Sequence, residues 1–317
     1  SQLQFQTNVG GFIGSVEGNT ALRCYIQNST NRGTVTSSDV GNANGGFIGA
    51  LIANTEFTLL IQGCTNNNSV VTKARFIGGF LGYACSNTFS IIIIVYSINS
   101  WTVFSPTSSP GYVGGFIGQF DENQEVTCTL SHNVNSGSIN ATSGSSYVGG
   151  FIAGFEYSTE RNWVIIEACT NKGVFNVSAN GRDACVGAII GILQTNVLIN
   201  VSISQSENNG FIIVNNQDSS SYVGGLIGLL YSNDGTTLSI MDSSNNGTIM
   251  TKTQCMCSVG GFIGKVFKEE ALQLRMENNN VNTLITGESL DDSTFVGGFI
   301  GSVHESPLFT AVIHKST

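Results

Sequence analysis

Five carboxylate side chains stand at similar distances behind Gly-Gly pairs in the sequence. Glu17, Asp121, Glu156, Glu269 and Glu305 each follow such a pair within nine residues of its first glycine. Two carboxyl groups held roughly 5 to 9.5 Å apart can hydrolyse a glycosidic bond, one as acid and the other as base or nucleophile. A solvated turn is the simpler interpretation of all five, and it is the one we expect.

Histidine and cysteine are the other side chains that could do chemistry. No serine or cysteine beside His132, His304 or His314 has the surroundings of an activated nucleophile. The Cys-Met-Cys run from Cys255 to Cys257 is a weak metal signal, because no second cysteine or histidine pair is near it. We therefore expect no enzyme activity, no catalytic residue, no metal and no cofactor.

A repeated string positions all of these residues. The string Asn8-Val9-Gly10-Gly11-Phe12-Ile13-Gly14 returns eight more times with small changes. The leading glycines of the nine copies are Gly10, Gly45, Gly78, Gly114, Gly149, Gly187, Gly224, Gly260 and Gly297. Their spacing of 33 to 38 residues is typical of stacked repeat architectures. It predicts one elongated domain over residues 1–317 rather than the two domains that length alone suggests.

A second signature, small-x-Asn-x-Gly-x-apolar, follows each string about nineteen residues later. Its asparagine recurs in all eight complete units, at Asn31, Asn66, Asn99, Asn135, Asn171, Asn208, Asn245 and Asn280. Asparagine tolerates the left-handed turn conformation, and its amide can bond the next asparagine in a stack. We expect these eight residues to form a structural ladder at a corner of the repeat.

The segments between the signatures alternate apolar and polar residues, as in Leu238-Ser239-Ile240. Short period-two runs bounded by Gly, Asn and Ser predict strands, and no segment has convincing helical periodicity. The nearest to a helix, residues 265–276, follows a repeat string, so we interpret it as two strands around a turn. Three strands per unit fit best. The predicted fold is all-β, a three-sided parallel β-solenoid of about nine coils with about 36 residues per coil.

Stacking of coils at roughly 4.8 Å explains why the string recurs, since one position in every coil then forms a column. The predicted aromatic column contains Phe12, Phe47, Phe80, Phe116, Phe151, Phe262 and Phe299, with Ile189 and Leu226 filling the two exceptions. The glycines would permit positive φ and a close backbone approach at a corner.

The same register separates the cysteines, which are Cys24, Cys64, Cys85, Cys128, Cys169, Cys185, Cys255 and Cys257. Cys24 shares a position with Cys128, three coils away, at roughly 14 Å, which exceeds the ~7 Å limit for a disulfide. We expect mostly small buried thiols, with disulfides in loops as the alternative. Asp121 and Glu156 fall one coil apart, a separation that glycosidase carboxyls use.

Composition excludes two classes of partner. The net charge of -9 and pI near 4.7 leave no basic surface for nucleic acid, which requires clustered Lys and Arg. The longest apolar run, Ile91 to Val95, is far below the ~20 residues of a membrane-spanning helix. An apolar fraction of 41% indicates a packed chain rather than a disordered one.

The Gly-Leu-Ile-Gly string at Gly225 and its Gly-Phe-Ile-Gly variants resemble the GLUG repeats of bacterial adhesin-like proteins and of regions in secreted proteases that cleave immunoglobulin. The resemblance covers all nine copies. Because Phe predominates over Leu, the chain is also similar to the large Asn-rich surface proteins of protists. The resemblance implies a right-handed β-helix that is extracellular or at the cell surface, and it carries over no catalytic residue.

Six Asn-x-Ser/Thr sequons could carry glycans if the protein is secreted by a eukaryote. Asn200 sits in a predicted strand and is the least suitable of the six. The candidate N-glycosylation sites are Asn28, Asn67, Asn140, Asn176 and Asn246. They lie beside or shortly after the asparagine turn, so a line of glycans along one edge is expected.

These patterns predict an extracellular structural protein, namely a self-assembling fibre, a surface coat or an adhesin stalk. The alternative is a carbohydrate-binding or carbohydrate-active β-helix protein, since many β-helices act on polysaccharides. The expected partners are the chain itself, head to tail, and glycans or host and cell-surface molecules. Ser1 to Val9 leads into the first string and the last copy stops at Thr317, so the ends are complementary halves of one unit. We favour head-to-tail stacking over a segment of a longer array.

Overall fold

The computed structural model describes residues 8–37, 43–67, 70–100, 102–105, 111–143, 146–179, 183–290 and 293–317. These residues form an all-β, parallel β-solenoid with about 36 residues per turn, as predicted, but with about eight turns where about nine coils were expected. The nine glycine strings bound the eight complete turns. Within the described ranges, no helix is long and apolar enough to cross a bilayer.

Five parallel sheets run the length of the stack, and we number them in the order in which the chain passes through them. Sheet 1 contains Val9–Gly10, Ala43–Gly45, Phe76–Gly78, Gly111–Gly114, Ser146–Gly149, Ala184–Gly187, Ser221–Gly224, Cys257–Gly260 and Thr294–Gly297. Sheet 2 contains Ile13–Glu17, Ile48–Ile52, Leu81–Cys85, Ile117–Asp121, Ile152–Glu156, Ile190–Gln194, Ile227–Tyr231, Ile263–Phe267 and Ile300–His304. Sheet 3 contains Arg23–Gln27, Thr58–Gln62, Ile91–Val95, Thr127–Ser131, Asn162–Glu167, Ile199–Ser204, Thr237–Met241, Gln273–Glu277 and Thr310–His314.

The two remaining sheets have eight strands each in the described residues. Sheet 4 contains the two-residue strands Thr30–Asn31, Thr65–Asn66, Ile98–Asn99, Val134–Asn135, Thr170–Asn171, Glu207–Asn208, Ser244–Asn245 and Asn280–Val281. Sheet 5 contains Val35–Ser37, Val70–Thr72, Val103–Ser105, Ile139–Ser143, Val174–Ala179, Phe211–Asn216, Thr248–Thr253 and Leu284–Ser289.

Each turn therefore contains five strands, and the prediction of three was wrong. The asparagine turn is itself a short strand, because its residues pair with those of the adjacent turns, as Asn99 does with Asn135. The segment that follows it is divided between sheets 5 and 1. Residues 265–276 contain the end of Ile263–Phe267 and most of Gln273–Glu277, as the two-strand interpretation predicted.

Two apolar cores lie between these sheets. The larger contains Phe116 from the bend before sheet 2, Phe120 of sheet 2 and Leu130 of sheet 3. The second contains Val113 of sheet 1 and Ile139 of sheet 5. Sheets 1 and 2 thus turn one face each to a different core, and their other faces meet along a seam between them. This seam contains a third, smaller cluster rich in tyrosine.

The glycines of the string are required by close backbone contacts. A Cβ on Gly115 would lie 2.1 Å from the carbonyl oxygen of Gly150 in the next turn. One on Gly118 would lie 2.8 Å from the backbone nitrogen of Ile77 in sheet 1. Any side chain there would separate adjacent turns or push sheet 2 away from sheet 1.

Positive φ occurs elsewhere in the turn than predicted. In the described residues, the positive-φ glycines are Gly18, Gly63 and Gly235, none of which belongs to a string. Most turns place ordinary residues in this conformation at their corners, such as Ser86 with φ of 53° and Tyr96 with φ of 52°. The string glycines are therefore selected by space, and the corners tolerate side chains because those side chains point outward.

The predicted aromatic column is present. Phe12, Phe47, Phe80, Phe116 and Phe151 stack in succession with ring centroids 4.7 to 4.9 Å apart. Ile189 and Leu226 continue the buried column, and Phe262 and Phe299 complete it at 5.5 Å. The spacing matches the distance between turns, so each ring contacts its equivalents above and below.

We expect Phe116→Ala to lower the free energy of unfolding by about 3 to 5 kcal/mol, because it leaves a cavity in a continuous core. Phe12→Ala is the matched control, since Phe12 belongs to the same column but is 48% exposed in the first turn. It should cost less than about 1 kcal/mol. Urea denaturation measures both, and equal losses would contradict the assignment of Phe116 to the core.

Candidate functional site

A ladder of buried asparagine amides closes one corner of the solenoid. Each Nδ2 donates a hydrogen bond to the Oδ1 of the equivalent asparagine in the next turn, at 2.9 to 3.1 Å. The members are Asn31, Asn66, Asn99, Asn135, Asn171, Asn208 and Asn245. Several of the Oδ1 atoms also accept the backbone N–H two residues later, as Asn208 does from Gly210 at 3.1 Å. The ladder predicted from the sequence is confirmed for these seven residues.

The eighth predicted member, Asn280, was wrong. Val281 pairs with Asn245, whereas Asn280 pairs with Ser244. Asn31 lies 21 residues after Gly10, and the same interval from Gly260 ends at Val281, so the run of three asparagines before it misled the alignment. Since valine has no amide, Asn245 Nδ2 instead donates to the carbonyl oxygen of Gly261 at 2.8 Å.

A second asparagine column, which sequence reasoning missed, closes the corner between sheets 2 and 3. Its members are Asn19, Asn54, Asn87, Asn123, Asn196 and Asn233. Asn87 Oδ1 accepts hydrogen bonds from the backbone N–H and the Nδ2 of Asn54, at 3.1 and 3.0 Å, while Asn87 Nδ2 donates to the carbonyl oxygen of Leu51 at 3.1 Å. Each amide thus pairs backbone groups that the bend leaves without a strand partner. A constant spacing of nine residues after the leading glycine was the available signal.

Glu269 occupies an asparagine position in this second column. Its side chain is 0% exposed, and Oε1 accepts hydrogen bonds from the Nδ2 and backbone N–H of Asn233, at 2.9 and 3.3 Å. Its Oε2 is buried without a partner. Burial raises the pKa of Glu269 from 4.5 to about 7, although the bonds from Asn233 lower it. The predicted solvated turn is therefore wrong for Glu269, while Glu17 and Glu305 are exposed as expected.

The raised pKa has a definite sign for stability. The folded chain binds a proton at Glu269 more tightly than the unfolded chain does. Its contribution is therefore fully present below about pH 4.5 and is lost as the pH rises toward about 7.

The two acidic residues predicted to lie one turn apart do so, at the ends of neighbouring sheet 2 strands. Asp121 pairs with Glu156, and both side chains lie in the seam between sheets 1 and 2. Tyr83 donates its hydroxyl to Asp121 Oδ2 at 2.7 Å. Tyr112 Oη and Gln119 Nε2 both donate to Glu156 Oε2, at 3.0 and 3.1 Å. We call these five side chains the seam cluster.

Burial controls the chemistry of the seam cluster. It raises the pKa of Glu156 to about 7, and the negative charge of Asp121 adds to this while the Tyr112 bond opposes it. Burial also raises the pKa values of Asp121, Tyr83 and Tyr112, so both hydroxyls remain donors. Glu156 is only 2% exposed, which contradicts the predicted solvated turn and keeps its carboxyl from a sugar chain in solvent. The arrangement holds the two carboxyls rigidly between the sheets.

Lys265 lies in the same seam several turns further along. Its Nζ is 4.7 Å from the ring centroid of Tyr222 and 4.5 Å from that of Phe267. Burial lowers the pKa of Lys265, and the negative charge of Asp183 opposes this. The two aromatic faces supply a cation–π environment for the buried ammonium group. No local sequence signal marks this residue, because its column contains unrelated side chains in the other turns.

The eight cysteines are free thiols, in agreement with the predicted buried-thiol interpretation. Cys64, Cys128, Cys169, Cys185 and Cys257 are buried, and burial raises the pKa of each. In the described ranges, no group of three or more His, Cys, Asp or Glu side chains is arranged to hold a metal ion.

The sequons lie in several parts of the turn rather than on one edge. Asn67 and Asn246 directly follow the asparagine ladder and are exposed. Asn140 and Asn176 are paired within sheet 5, where Asn176 Nδ2 donates to Asn140 Oδ1 at 3.0 Å. Asn28 is exposed at a corner. Asn200, the sequon judged least suitable from the sequence, is half-buried in Ile199–Ser204 of sheet 3.

We expect Asn87→Ala to lower the free energy of unfolding by at least about 3 kcal/mol, because it leaves buried groups of Asn54 and Leu51 without hydrogen bonds. Asn246→Ala is the control, since its exposed side chain bonds only other side chains near the surface. It should cost less than about 0.5 kcal/mol. Thermal unfolding at one pH compares them. Similar losses would show that the second column does not satisfy the corner.

Comparison with known proteins adds no relative to this architecture. No protein-family model matches the chain, and searches of curated proteins and of solved structures gave no match. The coarse part of the sequence interpretation, a β-solenoid repeat protein, is nevertheless what the structure contains. The repeat columns, the two amide ladders and the seam cluster are therefore the features from which a function must be argued.

Proposed function

We propose that this chain is an extracellular structural repeat protein, a β-solenoid rod that forms a fibre, a surface coat or an adhesin stalk. One observation carries the proposal. The aromatic column and the asparagine ladder repeat in register over most turns, with Ile189 and Leu226 in place of two rings and Val281 at the end of the ladder. The core residues of each turn therefore contact mainly their equivalents in the adjacent turns. A structure of this kind becomes longer when further turns are added.

The type of stacking supports a load-bearing role. Every described turn pairs with its neighbours through five sheets, so separating two turns would break the backbone hydrogen bonds of all five together. Parallel in-register columns of asparagine amides and stacked rings add side-chain contacts at the same interfaces. Resistance to separation along the axis is the property that a fibre or stalk requires.

The resemblance to GLUG-type repeats supports a surface or secreted location, and the buried thiols are compatible with it. Five of the eight cysteines are buried with raised pKa values, which makes them poor nucleophiles and slow to oxidise. A chain of this kind keeps its fold in an oxidising compartment without disulfides. Exposed sequons at Asn28, Asn67, Asn176 and Asn246 suit the same location.

Head-to-tail association of copies is part of the proposal. The outermost described strand of each sheet has a neighbour on one side only, which leaves backbone groups available to another strand. Phe12 is 48% exposed at one end of the aromatic column, and Phe299 is half-buried at the other. Stacking Phe12 of one copy on Phe299 of the next would continue the column. Such a contact is heterologous and produces an open filament.

Sedimentation velocity and negative-stain electron microscopy test the assembly. We expect the 317-residue chain to form concentration-dependent fibres. Phe12→Asp should shift it to monomers without a comparable loss of stability, because the charge falls in the end contact. Phe211→Asp is the control, since Phe211 is similarly exposed on a side face, in sheet 5. A wild-type chain that stays monomeric at high concentration, or equal effects of the two variants, would refute head-to-tail stacking.

The location is tested separately by glycan analysis of native material. We expect intact-mass measurement to show a decrease after treatment with an N-glycosidase. Peptide mapping should place the modification at Asn67 and Asn246 before Asn200, because the former are exposed after the ladder. An unchanged mass would contradict glycosylation while leaving the solenoid and its assembly untouched.

A further inference from the structure

We propose that Asp121 and Glu156 share a single proton at neutral pH, and that this proton makes the seam between sheets 1 and 2 an acid-stabilised joint. The inference goes beyond the structural role, because it gives the rod a response to pH. It rests on the pairing of the two carboxyls and on the hydrogen bonds that their four oxygens make or lack.

The hydrogen-bond pattern leaves one oxygen of each carboxyl unpaired. Asp121 Oδ2 accepts from Tyr83, and Glu156 Oε2 accepts from Tyr112 and Gln119. Asp121 Oδ1 and Glu156 Oε1 are buried and have no partner. An unpaired buried oxygen is costly, and two ionised carboxylates on adjacent strands also repel each other. One proton on either carboxyl removes one negative charge from the pair and turns one buried oxygen from an unpaired acceptor into a donor.

The tyrosines and cysteines around Asp121 and Glu156 do not supply a positive charge that could neutralise two ionised carboxylates. The charged and titratable side chains nearby are Arg75, Tyr83, Cys85, Tyr112, Glu122 and Tyr147. Besides burial, the charge of Glu156 raises the pKa values of Tyr157 and Cys185. Burial raises the pKa values of these tyrosines and cysteines, so they stay neutral near pH 7.

Two charged side chains, Arg75 and Glu122, lie near the pair. The Arg75 guanidinium is exposed and stacks 5.1 Å from the Phe76 ring centroid and 5.8 Å from that of Tyr112. Its charge favours ionised carboxyls, while Glu122 opposes ionisation of Asp121. Their effects on Asp121 are opposite in sign. The proton is therefore the group that removes the second negative charge from the seam.

Proton loss acts on the contact between sheets. Tyr112 belongs to sheet 1, while Asp121 and Glu156 end strands of sheet 2, so the cluster joins the two sheets across three successive turns that include Tyr83. A second negative charge inside this seam weakens the folded state. Because the folded chain binds the proton more tightly, its stability is complete at acid pH and falls as the pH rises through neutrality.

The experiment measures the slope of stability against pH. Glu269 is a second buried carboxyl whose pKa is raised to about 7, so the comparison is made in the E269Q variant. In that background we expect the unfolding equilibrium constant to rise about tenfold per pH unit between roughly pH 5 and 7, the slope for one proton. Adding E156Q should abolish this rise, because glutamine has the shape of glutamate but does not titrate. The three histidines are common to both variants and cancel. An unchanged slope would overturn the proposal.

A second measurement does not require the E156Q variant to fold. The side-chain carboxyl carbons of Asp121 and Glu156 are followed by ¹³C NMR in the E269Q protein. Sharing of one proton predicts that both resonances move together in one step near neutral pH. Titration of Glu156 near its ordinary value of 4.5, or movement of Glu156 with Asp121 unchanged, would refute sharing.

Discussion

Every buried backbone N–H and C=O in this molecule must find a partner in the turn above or below, and the rest of the structure depends on that requirement. Within the sheets the parallel ladders meet it directly. At the corner between sheets 2 and 3 some backbone groups have no strand partner, and asparagine side chains such as Asn87 take its place. Because these amides must meet their equivalents one turn away, the register cannot slip. Identical side chains, including the phenylalanine rings, consequently fall into columns.

The columns explain which features could be predicted from the sequence. A residue that must match its neighbour in the next turn recurs at a fixed interval, so the Phe116 column and the Asn99 ladder were both predictable. The Asn87 column also recurs at a fixed interval, nine residues after the leading glycine. It is harder to recognise than the Asn99 ladder because no longer signature surrounds it. The number of strands was less accessible, since a two-residue strand such as Ile98–Asn99 is too short to show periodicity.

Burial of the acidic residues could not be predicted in this way. Register indicates that Asp121 and Glu156 are neighbours, but not that sheet 1 covers them. Burial of the two carboxyls depends on Tyr112. The equivalent residues in other turns are Phe76, Tyr147 and Cys185. The seam is therefore the part of the cross-section where successive turns differ. The repeating columns define the fold, and this variable seam gives individual turns their own chemistry.

The amide ladders also have a direction. In both columns Nδ2 of one turn donates to Oδ1 of the following turn, from Asn31 to Asn66 and from Asn54 to Asn87. Their dipoles are consequently aligned along the axis rather than cancelling, as the dipoles of alternating strands do. The donor-to-acceptor order is the same at every step, so the two directions along the axis are electrically different. At Val281 the ladder stops, because valine has no amide to continue it.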